Sequence, residues 1–358
     1  MAKSIMIMAG GTGGHVFPAL AVAKELQQDG FDVVWLGTHK GLEAEVIPKN
    51  NIPIEWITIG GLRGKGIMTL LSAPFKLTVA CWQARRAMAK WRPVLVLGMG
   101  GFVTGPGGFV AWLRRVPLLI HEQNAIAGLT NRLLSRFAVR VLQAFPNTFP
   151  GRKIIDTGNP VRREIAAITE PKQRFAGRSG PTRLLVLGGS LGARALNETL
   201  PQALPMFADG GRPEVWHQTG KKMLDETNRA YQTAGVQAKV VPFIHDMAEA
   251  LAWADLVVCR AGALTLSELT AAGVGAILVP FPYAVDDHQT ANAKHLAQAG
   301  AAVIFQQRDM TAKGLFEKLR ELMQSRRQLL AMASAARSLA APQATQTVVR
   351  YCKEFARA

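Results

Sequence analysis

Two glycine-rich turns, one helix start and three ionisable side chains hold most of the chemistry this sequence could perform. Gly11-Thr12-Gly13-Gly14-His15 follows the apolar run 5–9. Glycines there remove the Cβ atoms that would block a phosphate or a sugar, and a helix opening at that point favours negative charge. Gly188-Gly189-Ser190 follows Leu184-Leu185-Val186-Leu187 and would set an N–H cluster and a hydroxyl at a second helix start, suited to a diphosphate. The third segment, from Cys259 through Arg260 to Glu268, follows the run 256–259 and places Glu268 one to two turns inside a helix. A carboxylate there either accepts both hydroxyls of a ribose or complements the helix dipole as an early charge. His15 opens a helix, and His121-Glu122 ends a strand near the place where a parallel sheet presents its crevice. An imidazole of ordinary pKa, ~6.5, can take a proton from a sugar hydroxyl at neutral pH. A structural hydrogen bond is the other role open to each histidine.

Several familiar chemistries are excluded by spacing. Gly60-Gly61-Leu62-Arg63-Gly64-Lys65 lacks the spacing and the final hydroxyl of a phosphate-binding GxxxxGK[ST] loop. A dinucleotide fingerprint needs GxGxxG and an acidic residue closing the second strand, whereas the run 33–36 leads into Gly37-Thr38-His39. No Asp-x-Asp occurs, and Cys81, Cys259 and Cys352 stand far apart without Cys/His clustering. No metal site, resident cofactor or disulfide framework is expected, and a reducing compartment fits. A leaving diphosphate would then be stabilised by helix N-termini, hydroxyls and arginine.

These residues need elements to position them. Strands are predicted over 5–8, 33–36, 54–59, 94–97, 117–120 and 139–142, then over 183–187, 214–217, 239–241, 256–259, 276–279 and 302–305. Helices over 19–29, 191–200, 266–272 and 289–298 stand between them. Apolar strands spaced by helices predict an α/β protein with buried parallel sheets. The strand, glycine turn and helix at the start recur about 180 residues later, so the architecture is duplicated. With 358 residues, two domains are expected, 1–162 and 163–344. Gly158-Asn159-Pro160 and the polar stretch 170–181 are the linker candidates. Residues 345–358 form one more helix whose docking site the sequence leaves open, a return onto the first domain being one placement.

Charge is uneven. The chain carries 42 Lys and Arg against 25 Asp and Glu, a net charge of +17, which calls for an anionic partner. Between Glu55 and Glu122 there is no acidic residue, yet there are nine basic ones. Lys76, Arg85 and Arg86 are among them, interleaved with Ile67, Leu70, Leu71, Phe75 and Trp82. Such a mixture suits an anionic lipid surface, with these residues facing it; the alternative is an apolar core under a solvated charged face. No nucleic-acid motif accompanies the charge. The apolar start is too short for a secretory signal, and the long uncharged stretch 93–113 has too many glycines for a bilayer helix of ~20 residues, so a soluble or peripheral protein is expected.

Taken in order, several segments resemble one family, the bacterial MurG glycosyltransferases. They are Gly10-Gly11-Thr12-Gly13-Gly14-His15, Gly61-Leu62-Arg63-Gly64, Gly98-Met99-Gly100-Gly101-Phe102-Val103, His121-Glu122-Gln123-Asn124 and Gly158-Asn159-Pro160-Val161-Arg162. Gly188-Gly189-Ser190, the 260–268 segment and Asp286-Asp287-His288-Gln289-Thr290-Ala291-Asn292 complete the series. The resemblance implies a GT-B fold, two Rossmann-like parallel-sheet domains facing a central cleft. It implies inverting, metal-independent transfer of N-acetylglucosamine from UDP-N-acetylglucosamine to the muramyl 4-hydroxyl of lipid I, giving lipid II for peptidoglycan. In the nucleotide-sugar domain it assigns Ile244 to uracil, Glu268 to the ribose, Ser190 and Ala263, Leu264, Thr265, Leu266 and Ser267 to the diphosphate, and Gln289 to the sugar. From the first domain Thr12, Gly13, Gly14, Asn124 and Arg162 reach the donor. His15 is the expected general base, with Glu122 and His121 as alternatives. Expected partners are lipid I, an anionic phospholipid surface at the cytoplasmic face of the bacterial membrane, and cell-wall assembly proteins. Leu191 departs from a frequent Gln and Phe102 from a frequent Tyr. The competing expectations are another metal-free GT-B enzyme (an epimerase or a soluble-acceptor transferase) and a non-catalytic nucleotide-sugar or lipid binding protein.

Overall fold

The inner strands of two parallel sheets are built from the continuous apolar runs. The computed structural model describes residues 3–60, 72–189, 192–208 and 211–357. The first sheet contains β1 (Ser4–Met8), β2 (Asp32–Gly37), β3 (Ile54–Trp56), β4 (Leu95–Gly98), β5 (Leu118–Glu122), β6 (Arg140–Gln143) and β7 (Ile154–Asp156), in the order β3-β2-β1-β4-β5-β6-β7. The second contains β8 (Arg183–Leu187), β9 (Glu214–Gln218), β10 (Lys239–Val241), β11 (Leu256–Cys259), β12 (Gly275–Leu278) and β13 (Ala302–Ile304), in the order β10-β9-β8-β11-β12-β13. The chain divides into one unit of Met1–Arg162 with Pro342–Ala358 and another of Arg163–Ala341.

Strand alternation sorts each core. Ile5 and Ile7 of β1 join Val33, Trp35, Leu95 and Leu97 on one face, under Val16, Ala19, Ala23 and Leu26 of the helix Gly13–Gln28. Met6 and Met8 point the other way, toward Ala80, Ala84 and Met88 of the helix Ala73–Trp91. The terminal helix Ala344–Arg357 lays Val348, Val349, Cys352 and Ala356 on the first of these faces. Lys3 Nζ donates to Ala356 O at 2.9 Å and Lys353 pairs with Asp29 at 3.0 Å, so the end of the chain is fastened to its beginning.

Each strand order has one reversal, between β1 and β4 and between β8 and β11. At such a point the crossovers leave in opposite directions and open a crevice at the carboxyl ends of the strands. The loops after β1 and β4 therefore meet in the first unit, and those after β8 and β11 in the second.

Four expectations change. Strand β7 is unpredicted, because a three-residue edge strand has no apolar run to announce it. The strand expected over 54–59 ends at Trp56; beyond it the Thr58 amide donates to Gln83 Oε1 at 2.7 Å instead of to a neighbouring strand. The first helix begins at Gly13, not residue 19, and runs through Pro18. Nor is the stretch 170–181 a linker. Phe175 lies in the second core, Arg174 donates to Ala272 O at 2.6 Å, and Arg178 forms an ion pair with the fully buried Asp255.

Candidate active site

In the first unit the glycine turn is held from below. Thr12 is the extended residue before the helix; its carbonyl accepts from His15 N at 3.1 Å and Val16 N at 3.2 Å, and its exposed side chain makes no capping bond. The first helical amides, from Gly13 and Gly14, are left without intrahelical partners. Beneath them Glu43, fully buried, accepts from Gly11 N at 2.9 Å, Thr38 N at 2.9 Å and Thr38 Oγ1 at 2.8 Å. From β4, Met99 N donates to Met8 O at 2.8 Å, and Thr104 Oγ1 donates to Gly100 O at 2.9 Å. Gly101, at φ +84°, lies so close to Gly10 O that a Cβ could not be placed there. The two loops are thus packed backbone against backbone. Arg162 stacks over the Phe17 ring at 5.5 Å, beside the first turns of the same helix.

The three candidate bases separate by burial. His15 is half-buried, its Nδ1 stands 3.1 Å from Gln123 Oε1, and its Nε2 has no hydrogen-bond partner among the described residues. His121 is fully buried and donates Nε2–H to Gly158 O at 3.0 Å. Burial pushes its imidazole down to about 4, with His15 acting in the same direction and the Gly158 carbonyl and Glu122 against it. Glu122 is buried and saturated. It accepts from Asn124 N at 3.0 Å, Asn124 Nδ2 at 3.2 Å, Gly128 N at 3.1 Å and Asn131 Nδ2 at 2.9 Å. His121 thus secures the Gly158 turn, and Glu122 clamps the loop that carries Asn124. His121 Nδ1 also lacks a partner among the described residues but is fully buried, so of the three candidates His15 alone joins an unpartnered nitrogen to partial exposure.

The second unit repeats the arrangement. Gly188 N donates to Gln218 O at 2.9 Å, and Gly192 N to Gly189 O at 3.1 Å. Ser190 and Leu191 lie outside the described residues. Behind this turn His217, fully buried, joins Tyr231 Oη at 2.9 Å and Asn197 Oδ1 at 3.0 Å, while Asn197 Nδ2 donates to Thr219 O at 3.0 Å. The helix Ala263–Ala272 starts after Gly262 with no side-chain cap, so the amides of Ala263, Leu264 and Thr265 are open to an anion. Leu266 is buried and its amide donates to Gly262 O at 3.0 Å; Ser267 Oγ donates to Ala263 O at 3.0 Å; and the Glu268 side chain is buried in the same helix. Ile244 is buried as well and can offer a ligand only its main chain. Gln289 accepts from Phe281 N at 2.9 Å, keeping its NH₂ for another partner. Just before it Asp286 and Asp287 hold positive φ, 53° and 50°, a strained pair of the kind found at ligand loops. Arg260 donates to Val279 O at 3.2 Å and to Gln307 Oε1 at 2.6 Å, tying the segments after β12 and β13 to the loop after β11.

Sequence reasoning gave no role to Glu43, Gln123, Asn197 or His217. Their partners lie 5 to 108 residues away in sequence, and only the glycine turns nearby marked the neighbourhood.

Part of the basic and apolar stretch forms an exposed surface. Ile67, Leu70 and Leu71 lie outside the described residues. On the helix Ala73–Trp91 the alanines turn inward, while Phe75 is 73% and Trp82 60% exposed, beside exposed Lys76, Arg85 and Arg86. The sequence missed the continuation. The packed neighbouring helix Thr104–Leu113 exposes Phe109, Trp112 and Leu113 ahead of Arg114 and Arg115, and the next, Leu129–Leu134, exposes Leu129 and Leu133 beside Arg132. None of the three helices contains an acidic residue. Among the described residues no helix is long and apolar enough to cross a membrane, and no group of three or more His, Cys, Asp or Glu could hold a metal ion.

Comparison with known proteins matches this architecture. The N-terminal domain of glycosyltransferase family 28 matches residues 5–143, and its C-terminal domain matches residues 183–348. The chain is 58% identical over 355 residues to the UDP-N-acetylglucosamine–N-acetylmuramyl-(pentapeptide) pyrophosphoryl-undecaprenol N-acetylglucosamine transferase of Marinobacter nauticus, covering 99% of this chain and 98% of that protein. It is 57% identical to the protein of the same name from Nitrosococcus oceani, covering 99% of each. The crystal structure of Acinetobacter baumannii MurG superposes with a TM-score of 0.85 at 48% identity, over 98% of this chain and 99% of that one. Two doubly wound parallel sheets, each with its glycine turn at the strand reversal, and full-length identity above one half place this chain in the MurG family of GT-B glycosyltransferases.

Proposed function

We propose that this chain transfers N-acetylglucosamine from UDP-N-acetylglucosamine to the 4-hydroxyl of the muramyl sugar of lipid I, forming the β-1,4 bond of lipid II. The observation that carries the reading is the 58% identity over 99% of the chain to a transferase of that name. The second unit takes the nucleotide sugar. Main-chain atoms at Ile244 meet the uracil, Glu268 accepts the ribose hydroxyls, and the open amides from Ala263 to Thr265, with Ser190 and Ser267, face the diphosphate. Gln289 directs its free NH₂ to the sugar. Thr12, Gly13, Gly14, Asn124 and Arg162 of the first unit reach the donor, and lipid I approaches across the glycine loops of that unit.

The reaction is one displacement with inversion. The muramyl hydroxyl oxygen bonds to the anomeric carbon as the bond from that carbon to the UDP oxygen breaks, and the hydroxyl proton passes to His15 Nε2. Helix N-termini stabilise the charge that develops on the leaving diphosphate, so no metal ion is needed. A base serves only within ~2.6–3.2 Å of the proton it takes.

The exposed apolar and basic surface rests on anionic phospholipid at the cytoplasmic face of the membrane, where the acceptor's lipid is anchored. An epimerase or a soluble-acceptor transferase has no use for that surface. The test is transfer of radiolabelled N-acetylglucosamine to a short-chain lipid I analogue with chelator present. Transfer by the wild type and collapse in His15→Ala, with UDP still bound, support the reading. Donor consumption only with another acceptor, or UDP binding without turnover, would overturn it.

A further inference from the structure

We propose that Gln123 sets the tautomer of His15, holding the proton on Nδ1 so that Nε2 is the basic atom. The two ends of a glutamine amide play different roles, and the one that faces a carbonyl must be the NH₂. Gln123 is almost fully buried, and its Nε2 donates to Met99 O at 2.8 Å. A flip of the amide would set oxygen against oxygen there. Its Oε1 is therefore the end that stands 3.1 Å from His15 Nδ1, and an acceptor at that position requires Nδ1–H. The arrangement is braced on both sides. Asn159 Nδ2 donates to Gln123 O at 3.1 Å, and Met99 is itself bonded to Met8 across the strand reversal. Gly100, at φ +95°, gives the ring its space, since a Cβ there would lie 2.6 Å from His15 Nδ1.

Free neutral imidazole prefers its proton on Nε2, which would turn the lone pair toward Gln123 and away from any substrate. Gln123 reverses that preference. Being neutral, it does so without the added charge by which a carboxylate would favour the imidazolium. It touches His15 and not the substrate, so it is a positioning residue. The inference rests on His15 being the base.

The test is the nitrogen-15 spectrum of the histidine side chains in the full-length protein, at a pH where imidazoles are neutral, with His15 assigned by the resonance lost in His15→Gln. Wild type should show Nδ1–H at His15. Gln123→Met, which keeps the volume and removes the acceptor, should move His15 toward Nε2–H. It should also lower kcat about 10- to 100-fold, within what a general base contributes, while KM for UDP-N-acetylglucosamine stays within about twofold. A purely structural role would lower the melting temperature without changing the tautomer. Nε2–H in the wild type, or an unchanged tautomer and kcat in Gln123→Met, would overturn the inference. Full kcat in His15→Gln would instead overturn the base reading, a result that the tautomer spectrum does not depend on.

Discussion

The Glu43 carboxylate accepts the Gly11 amide at 2.9 Å from a fully buried position, and its other oxygen takes two bonds from Thr38. A buried acid is thus the floor of the first glycine turn. Removing it in Glu43→Ala strands three donors and leaves a void, so the first unit should lose about 2–4 kcal/mol of stability in urea unfolding. Transfer should fall further than stability alone explains at 25 °C, because the turn that presents Thr12 and His15 loosens.

Gly100→Ala probes the space beside His15. The new Cβ would meet the imidazole at 2.6 Å in a backbone conformation, φ +95°, that alanine rarely adopts. Steady-state kinetics should show kcat reduced at least about tenfold and affinity for UDP, measured by calorimetry, nearly unchanged. Equal loss in both would indicate a general collapse of the fold.

Glu268 has two readings on sequence, a ribose acceptor or a charge that complements its helix dipole, and its burial does not by itself choose. In Glu268→Ala a ribose role raises KM for UDP-N-acetylglucosamine about tenfold or more, since the sugar hydroxyls lose a charged acceptor. A dipole role alone would lower stability by about 0.3–1 kcal/mol and leave KM in place.

The exposed surface gives a prediction on lipid. Phe75→Ser with Trp112→Ser removes two large exposed rings that lie far from the glycine turns in sequence. Sedimentation with vesicles of anionic phospholipid should show binding weakened about tenfold or more. Added salt should weaken the wild type further, because each basic residue near the surface contributes ~1 kcal/mol that is screened. Transfer to a short-chain soluble acceptor should remain at wild-type rate.

Acid should destabilise both units. Burial holds His121 down to about 4 and His217 down to about 3, below the ~6.5 of an unfolded histidine. Between those values the unfolded chain binds protons that the folded chain does not, so stability is full above about pH 6.5 and falls as pH drops through the window. The slope is about 1.4 kcal/mol per pH unit for each group. His121→Gln keeps a donor for Gly158 O and does not titrate, so unfolding of its unit between pH 6.5 and 5 should be flatter than in wild type. An identical slope would show that His121 does not contribute.

Most of the fold could be read from local pattern. The inner strands are buried on both faces, so each had to be a continuous apolar run, and β1, β2, β4, β8 and β11 lie within a residue or two of their predicted bounds. The glycine turns were equally visible, because only glycine tolerates the φ values and the close approaches found at Gly11, Gly101 and Gly192. Strand β7 was not, since an edge strand needs no apolar run. The stretch 170–181 read as a linker because Arg174 and Arg178 are polar, and nothing local says that Ala272 and Asp255 will receive them.

The sequence by itself determined that two strand–glycine turn–helix units exist and that His15, Glu122 and His121 belong near one of them. Tertiary structure alone gave those three their different burial and partners. His121 spends its Nε2–H on Gly158, 37 positions away, Glu122 is saturated by Asn124, Gly128 and Asn131, and His15 meets Gln123 across 108 positions. Residue type states which protons a side chain can hold; only the folded chain states which of its atoms are left with nothing to bind.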